Sequence, residues 1–306
     1  MHTAELALSF LLILIIVVSV LSNVLVLICF LYNAEIRKQV PGLFILNLTF
    51  CNLLLSASSM PLTLFGVLSN AHPGGHVFCQ VVGFLDTFLT TNSMLSMAAL
   101  SIDRWVAVVF PLSYHSRIRH RDAVIALAYT WVHSLSFSVV AACLSWVGYH
   151  QQYASCTLCN GRAVHAKTQF AMYTLVLHSL TFLLVSVVLC VTYLKVLKVA
   201  RFHCKRIDVI TMQTLVLLVD IHPRCFTIFL HYITKHYFSF FTVRIVELFL
   251  TEPFNPYWGV LCKSLAYSKA ACDPFVYSLL RHQYRKTCSD IINRLMKRSS
   301  LNGSRH

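Results

Sequence analysis

Apolar runs of membrane-crossing length alternate with short polar segments along this chain. The runs cover about 7–32, 43–68, 77–109, 123–147, 168–194, 224–250 and 258–280. Each has at least the roughly 20 residues that a helix needs to cross the hydrocarbon core of a bilayer. The segments between them are turns by composition, as in the stretch 69–76, SNAHPGGH. No succession of alternating ten-residue strands suggests a β-barrel. After the last run, 281–297 mixes basic and apolar positions as an amphipathic helix lying on a membrane surface does. The pattern predicts an all-α membrane protein, a single domain over 1–306 built as a seven-transmembrane helix bundle with a short amphipathic C-terminal helix. No Lys or Arg precedes the first run, and the run exceeds a signal-peptide core, so it reads as a retained helix.

The third run carries the chemistry. Asp86 and Arg104 are 18 residues apart, five helical turns, so they share one face about 27 Å apart along the axis. Thr90, Ser93, Met97 and Leu100 fill the stripe between them. One helix thus presents a carboxylate near one membrane surface and a guanidinium near the other. Ionisable groups inside a membrane are costly and face protein or a water-filled cavity, which marks both as functional candidates.

Composition agrees with a membrane protein: 57% of the 306 residues are hydrophobic and 12% charged, about half the charged fraction of a soluble domain. The net charge of +14 suggests nucleic acid until it is located. The segments 33–41, 111–121, 195–207 and 281–306 hold 17 Lys and Arg; the opposite loops hold Arg162 and Lys167. That asymmetry puts the C-terminus in the cytoplasm and the N-terminus outside. The positive charge faces anionic lipid and a cytoplasmic partner, with no nucleic acid. Most of the 12 cysteines lie in apolar runs as packing residues, and no metal-ligand spacing stands out. Cys156 and Cys159 form C-x-x-C without two further zinc ligands nearby. No hydrolase, zincin, dinucleotide or phosphate-loop motif is present, so the chain reads as no enzyme and takes no cofactor. A transporter predicts internal repeats and broken helices; nine glycines and no repeat make it the weaker alternative.

Asp103-Arg104-Trp105 followed by Pro111-Leu112 and Tyr114 resembles the D-R-Y…P-L-x-Y signature of rhodopsin-like (class A) G-protein-coupled receptors. Asp273-Pro274-Phe275-Val276-Tyr277 resembles their N/D-P-x-x-Y. Asn23, Asn47-Leu48, Asn52-Leu53-Leu54, Trp131 and Tyr193 match further positions. The likeness covers most of the chain and falls within a small branch of orphan receptors with no settled ligand.

The resemblance implies a plasma-membrane orphan receptor that activates heterotrimeric G proteins, with stimulatory, cyclic-AMP-raising coupling. It implies that Asp103 pairs with Arg104 at rest, and that Arg104 turns toward Tyr193 and Tyr277 on activation. It makes Asn23, Asn52 and Ser93 bundle-core residues. The family's acid at the place of Asn52 helps hold a sodium ion; an amide is a poorer ligand for a hard cation. It implies a disulfide from Cys79 to Cys156 or Cys159, and offers Cys288 for lipidation. In amine receptors of the family, an Asp at the place of Asp86 binds the ammonium, supported by a Tyr at the place of Tyr267. Asp86, Thr90 and Tyr267 are therefore the ligand-binding candidates for a small ligand, a cationic amine or none. A second reading makes Asp86 a buried acid satisfied by neighbours such as Tyr267. Lys269 is not at the place of the retinal-bearing lysine of opsins.

The sixth run departs from the family. Residues 208–257 contain no Trp, and their only prolines are Pro223, Pro253 and Pro256. The run carries His231, Lys235, His236, Arg244 and Glu247, although Lys or Arg at mid-bilayer costs roughly 2.5–3.5 kcal/mol. Either the helix is genuine and divergent, or 224–241 is foreign and the product is signalling-deficient.

Overall fold

A computed structural model describes residues 3–69, 74–159, 164–204, 242–246, 255–279 and 281–303. The expectations for 224–241 and Glu247 lie outside the described residues.

Helix α1, Thr3–Tyr32, buries Leu8, Leu12, Ile15, Ser19, Asn23 and Val26 at helical spacing and turns Phe10, Leu14, Val17 and Leu21 outward. Asn33 then accepts from the Glu35 backbone N–H and starts the short helix α2, Ala34–Lys38. The second run is two helices, α3 Val40–Ala57 and α4 Ser59–Ser69. The break at Ser58 follows from Pro61, which lacks an N–H and whose ring crowds the carbonyl four residues earlier. Ser58 Oγ caps the end of α3 by donating to the Leu54 carbonyl at 2.6 Å.

Helix α5, His76–Val109, is the axis of the bundle, and every residue from Thr91 to Ala98 is buried. Protein surrounds its middle, which explains why Thr, Ser and Asn are tolerated there. Pro111–Ser113 and the one-turn helix α6, Tyr114–Arg117, lead to α7, His120–Cys143. The Arg119 N–H donates to Asp122 at 3.0 Å to begin α7. Helix α7 ends at Cys143, short of the expected 147, because the chain reverses through Ser145 at φ 55°. A hairpin follows, β1 Val147–His150 against β2 Ser155–Leu158, antiparallel, pairing Val147 with Leu158 and His150 with Ser155. Ala154 makes the return at φ 47°.

Helix α8, Val164–His178, passes through a π turn at Ser179–Leu183 into α9, Leu184–Cys204. This run has no proline, yet the widened turn still carries Thr181 and Phe182 inward. Asn255 accepts from the Tyr257 N–H and caps α10, Pro256–Pro274. Pro274 ends it in a second π turn, Phe275–Leu279, and α11, His282–Gly303, follows.

Among the described residues, four helices are long and apolar enough to cross a membrane: Thr3–Tyr32, Val40–Ser69, His120–Cys143 and Lys167–Val196. Among the described residues, the two largest of four apolar clusters fill the bundle interior. One, around Leu12, Leu55, Met60 and Leu89, lies toward the hairpin. The other, around Val26, Leu48, Met97, Leu100 and Tyr277, lies toward α11. A polar layer with Asn23, Asn52, Ser93 and Asp273 separates them.

Candidate functional site

The hairpin end of α5 is fixed first. Cys79 is bonded to Cys156, which settles the choice between the two loop cysteines; Cys159 is a free thiol. Burial pushes the Cys159 thiol up, and the nearby Arg244 guanidinium opposes that shift. The disulfide draws β2 across the bundle and brings Ser155 over Asp86.

Asp86 is 7% exposed and both its oxygens are engaged. Tyr267 donates its hydroxyl to Oδ1 at 2.8 Å. Lys263 donates Nζ to Oδ2 at 3.2 Å, and to Ser155 Oγ at 2.8 Å. Lys263 and Tyr267 are four residues apart on α10, so they share a face. Sequence reasoning missed Lys263. Its signal was that i,i+4 spacing to Tyr267, opposite an acid on α5.

Asp86, Thr90, Ser93, Lys263, Tyr267 and Lys269 line one cavity of about 60 Å³. The cavity also reaches Arg244. Arg244 is not spent in mid-bilayer. Its guanidinium donates to the Leu158 carbonyl at 2.9 Å and stacks 4.6 Å over the Tyr153 ring, at the hairpin.

One level down, the core candidates converge. Asn23 donates to the Ala270 carbonyl at 2.9 Å. Asn52 donates to Asp273 Oδ2 at 3.1 Å, and Ser93 donates to Asn52 Oδ1 at 3.2 Å. Lys269 completes the group, with Nζ at 2.5 Å from both Ser93 Oγ and Asp273 Oδ2. Beside it, Asn47 donates to Asn92 Oδ1 at 2.6 Å and to Ser96 Oγ at 2.8 Å, and accepts from Trp131 Nε1 at 2.9 Å.

At the far end of α5, Arg104 Nη2 lies 2.9 Å from Asp103 Oδ2. Tyr114 donates its hydroxyl to Asp103 Oδ1 at 2.6 Å. Burial and the Asp103 charge hold the Tyr114 phenol well above its ordinary pKa, so it stays a donor. Trp105 takes the Lys195 ammonium over its ring at 4.5 Å. Tyr277 lies 3.4 Å from Ser101 Oγ, and Tyr193 is buried in the same cluster. Arg104 is thus on Asp103, with the two tyrosines one layer inward. Cys288 does not point away from the bundle: its sulfur is 3.2 Å from that of Cys29 on α1.

Residues 22–277 match the family described as the 7 transmembrane receptor (rhodopsin family). Human G-protein coupled receptor 26 is 58% identical over 305 residues, covering 94% of this chain and 90% of the relative. Human G-protein coupled receptor 78 is 41% identical over 324 residues, covering 100% and 89%. The human histamine H2 receptor is 28% identical over 295 residues, covering 94% and 80%.

Proposed function

The chain belongs to the rhodopsin family of seven-transmembrane receptors, multi-pass proteins of the plasma membrane that signal through G proteins, and from that premise we propose that its coupling is stimulatory and raises cyclic AMP. The observation that carries G-protein activation is the Asp103–Arg104 pair held by Tyr114 at the inner end of α5; the stimulatory class is supported by the likeness to G-protein coupled receptors 26 and 78 and the histamine H2 receptor. Freed from Asp103, Arg104 has Tyr277 and Tyr193 one layer inward to turn toward, and its departure opens a groove for a helix of the G protein. The N-terminus is extracellular, as the basic loops require.

Asp86, Thr90 and Tyr267 form the ligand subsite. The histamine H2 receptor, by its name, takes an amine, and Asp86 with Tyr267 has the matching chemistry. In this chain, however, Lys263 supplies the ammonium itself. An amine reaches Asp86 only by displacing it, so the resting receptor needs no bound amine to neutralise its acid.

The test is cyclic AMP in cells expressing the chain at matched surface levels. Wild type exceeds vector control without added ligand, and Arg104→Ala falls to the control. A surface-expressed wild type that activates another G-protein class alone overturns the stimulatory assignment. Activation of none overturns the receptor reading.

A further inference from the structure

The family resemblance implies a sodium ion in the bundle core near Asn52, and the residues of this chain do not fit one. A hard cation needs a set of free oxygen ligands with net negative charge. Among the described residues the only acid of the layer is Asp273, which already has an ammonium on Oδ2. The Ser93 oxygen that would serve as a ligand accepts from the same Lys269 Nζ. Asn52 is an amide, and it turns its N–H₂ toward Asp273 and its oxygen toward Ser93. A second cation would meet the Lys269 charge at contact distance in a medium that screens it poorly.

We infer that Lys269 is a tethered cation: its ammonium occupies the core position that a diffusible monovalent ion would take, and makes the resting bundle independent of sodium. Three observations carry this. Lys269 and Asp273 are four residues apart on α10, so the pair closes within one helix turn. Both side chains are almost completely buried, at 3% and 1% exposure, so solvent ions have no share in the neutralisation. The ammonium bridges α10 to Ser93 on α5, and Asn52 ties the same carboxylate to α3. A tethered charge does this without the translational entropy that a mobile ion gives up on binding.

Removal of the lysine uncovers the site. With alanine at 269, Asp273 loses its built-in counter-charge, and its oxygens join Ser93 Oγ and Asn52 Oδ1 as an all-oxygen set. Oδ1 of Asp273 is buried and has no hydrogen-bond partner even with Lys269 present. A monovalent cation then has a carboxylate and two neutral oxygens to bind, and it stabilises the folded state in proportion to its occupancy.

The experiment is thermal unfolding of the purified full chain in sodium chloride, in potassium chloride, and in N-methyl-D-glucamine chloride at one ionic strength. Wild type melts at the same temperature in all three. Lys269→Ala melts lower than wild type in N-methyl-D-glucamine and recovers several degrees in sodium. Lys269→Met/Asp273→Asn, which removes both charges, folds and again ignores the cation. A wild type raised by sodium over N-methyl-D-glucamine overturns the inference. So does a folded Lys269→Ala that shows no sodium response. If Lys269→Ala yields no folded protein in any salt, the wild-type comparison decides alone. Melting does not involve a G protein, so this outcome is independent of the coupling assay.

Discussion

Lys263→Met tests the outermost ion pair. The side chains of Lys263 and Asp86 are 3% and 10% exposed, so each charge is largely cut off from bulk water once its partner is gone. Methionine matches the length of the lysine stem and leaves no large cavity. Among the described residues, the carboxylate of Asp86 then retains the Tyr267 hydroxyl on Oδ1 as its one hydrogen-bond donor. Breaking a buried pair by removing one partner costs about 3–5 kcal/mol. Asp86→Asn leaves the Lys263 ammonium without a counter-charge, against Ser155 and the Tyr267 ring, with a loss of the same order. The double variant Lys263→Met/Asp86→Asn removes both charges. Its loss should fall short of the sum of the two singles by about 2–3 kcal/mol, the upper range for residues in direct contact. The assay is thermal unfolding of the purified receptor, followed by reaction of buried thiols such as Cys29, Cys51 and Cys262 as they become accessible. Additive losses in the cycle would refute the pairing, because two groups that do not touch have nothing to share.

Tyr114→Phe removes the hydrogen bond that holds Asp103 and costs about 1.5–3 kcal/mol, the range for a bond to a charged group; the freed Asp103–Arg104 pair should raise ligand-independent cyclic AMP over wild type at equal surface level. Cys79→Ser and Cys156→Ser each remove the disulfide, at about 2–5 kcal/mol, and should lower surface expression together, whereas Cys159→Ser leaves it unchanged. On intact cells, a membrane-impermeant maleimide should label Cys159 from outside. Burial holds that thiol protonated, so labelling is slow at neutral pH and speeds up only above the pH at which an ordinary thiol ionises; a rate independent of pH counts against the buried setting.

Much of the site was legible because it lies along single helices. The 18-residue spacing of Asp86 and Arg104 places them at opposite ends of α5 with no tertiary information, and Ser93 falls between them on the same stripe. The adjacency of Asp103 and Arg104 needed no fold either. What the sequence hid are pairings across large separations. Lys263 meets Asp86 across 177 residues, and Asn52 meets Asp273 across 221. Periodicity ranks a lysine in an apolar run as a cost and does not name the acid that offsets it. The hairpin was hidden too. Val147–His150 continues an apolar run, and only the reversal at Ser145 separates it from α7. The split of the second run at Ser58 was readable in principle from Pro61, whose effect falls on the turn before it.

Among the described residues, three carboxylates are buried, Asp86, Asp103 and Asp273, and each is paired with a cation of the same chain. The three pairs are not equivalent. Lys263 and Lys269 both have side chains 3% exposed, and both sit on α10, so each loses nearly all hydration and depends on its acid. Arg104 is 17% exposed. Its guanidinium can leave Asp103 and find water or a partner at that end of the bundle with a smaller desolvation penalty. A bundle with two deeply buried pairs and one at its rim has only one that thermal motion opens readily. Lys263 therefore ties α10 to α5 through Asp86, and Lys269 does so through Ser93; under the proposed function, the rim pair is the one whose breaking accompanies activation. Under the proposed function the ordering makes a definite demand on a ligand: one that binds at Asp86 would have to displace Lys263, and the coupling to Arg104 would then run through α10 as well as along α5.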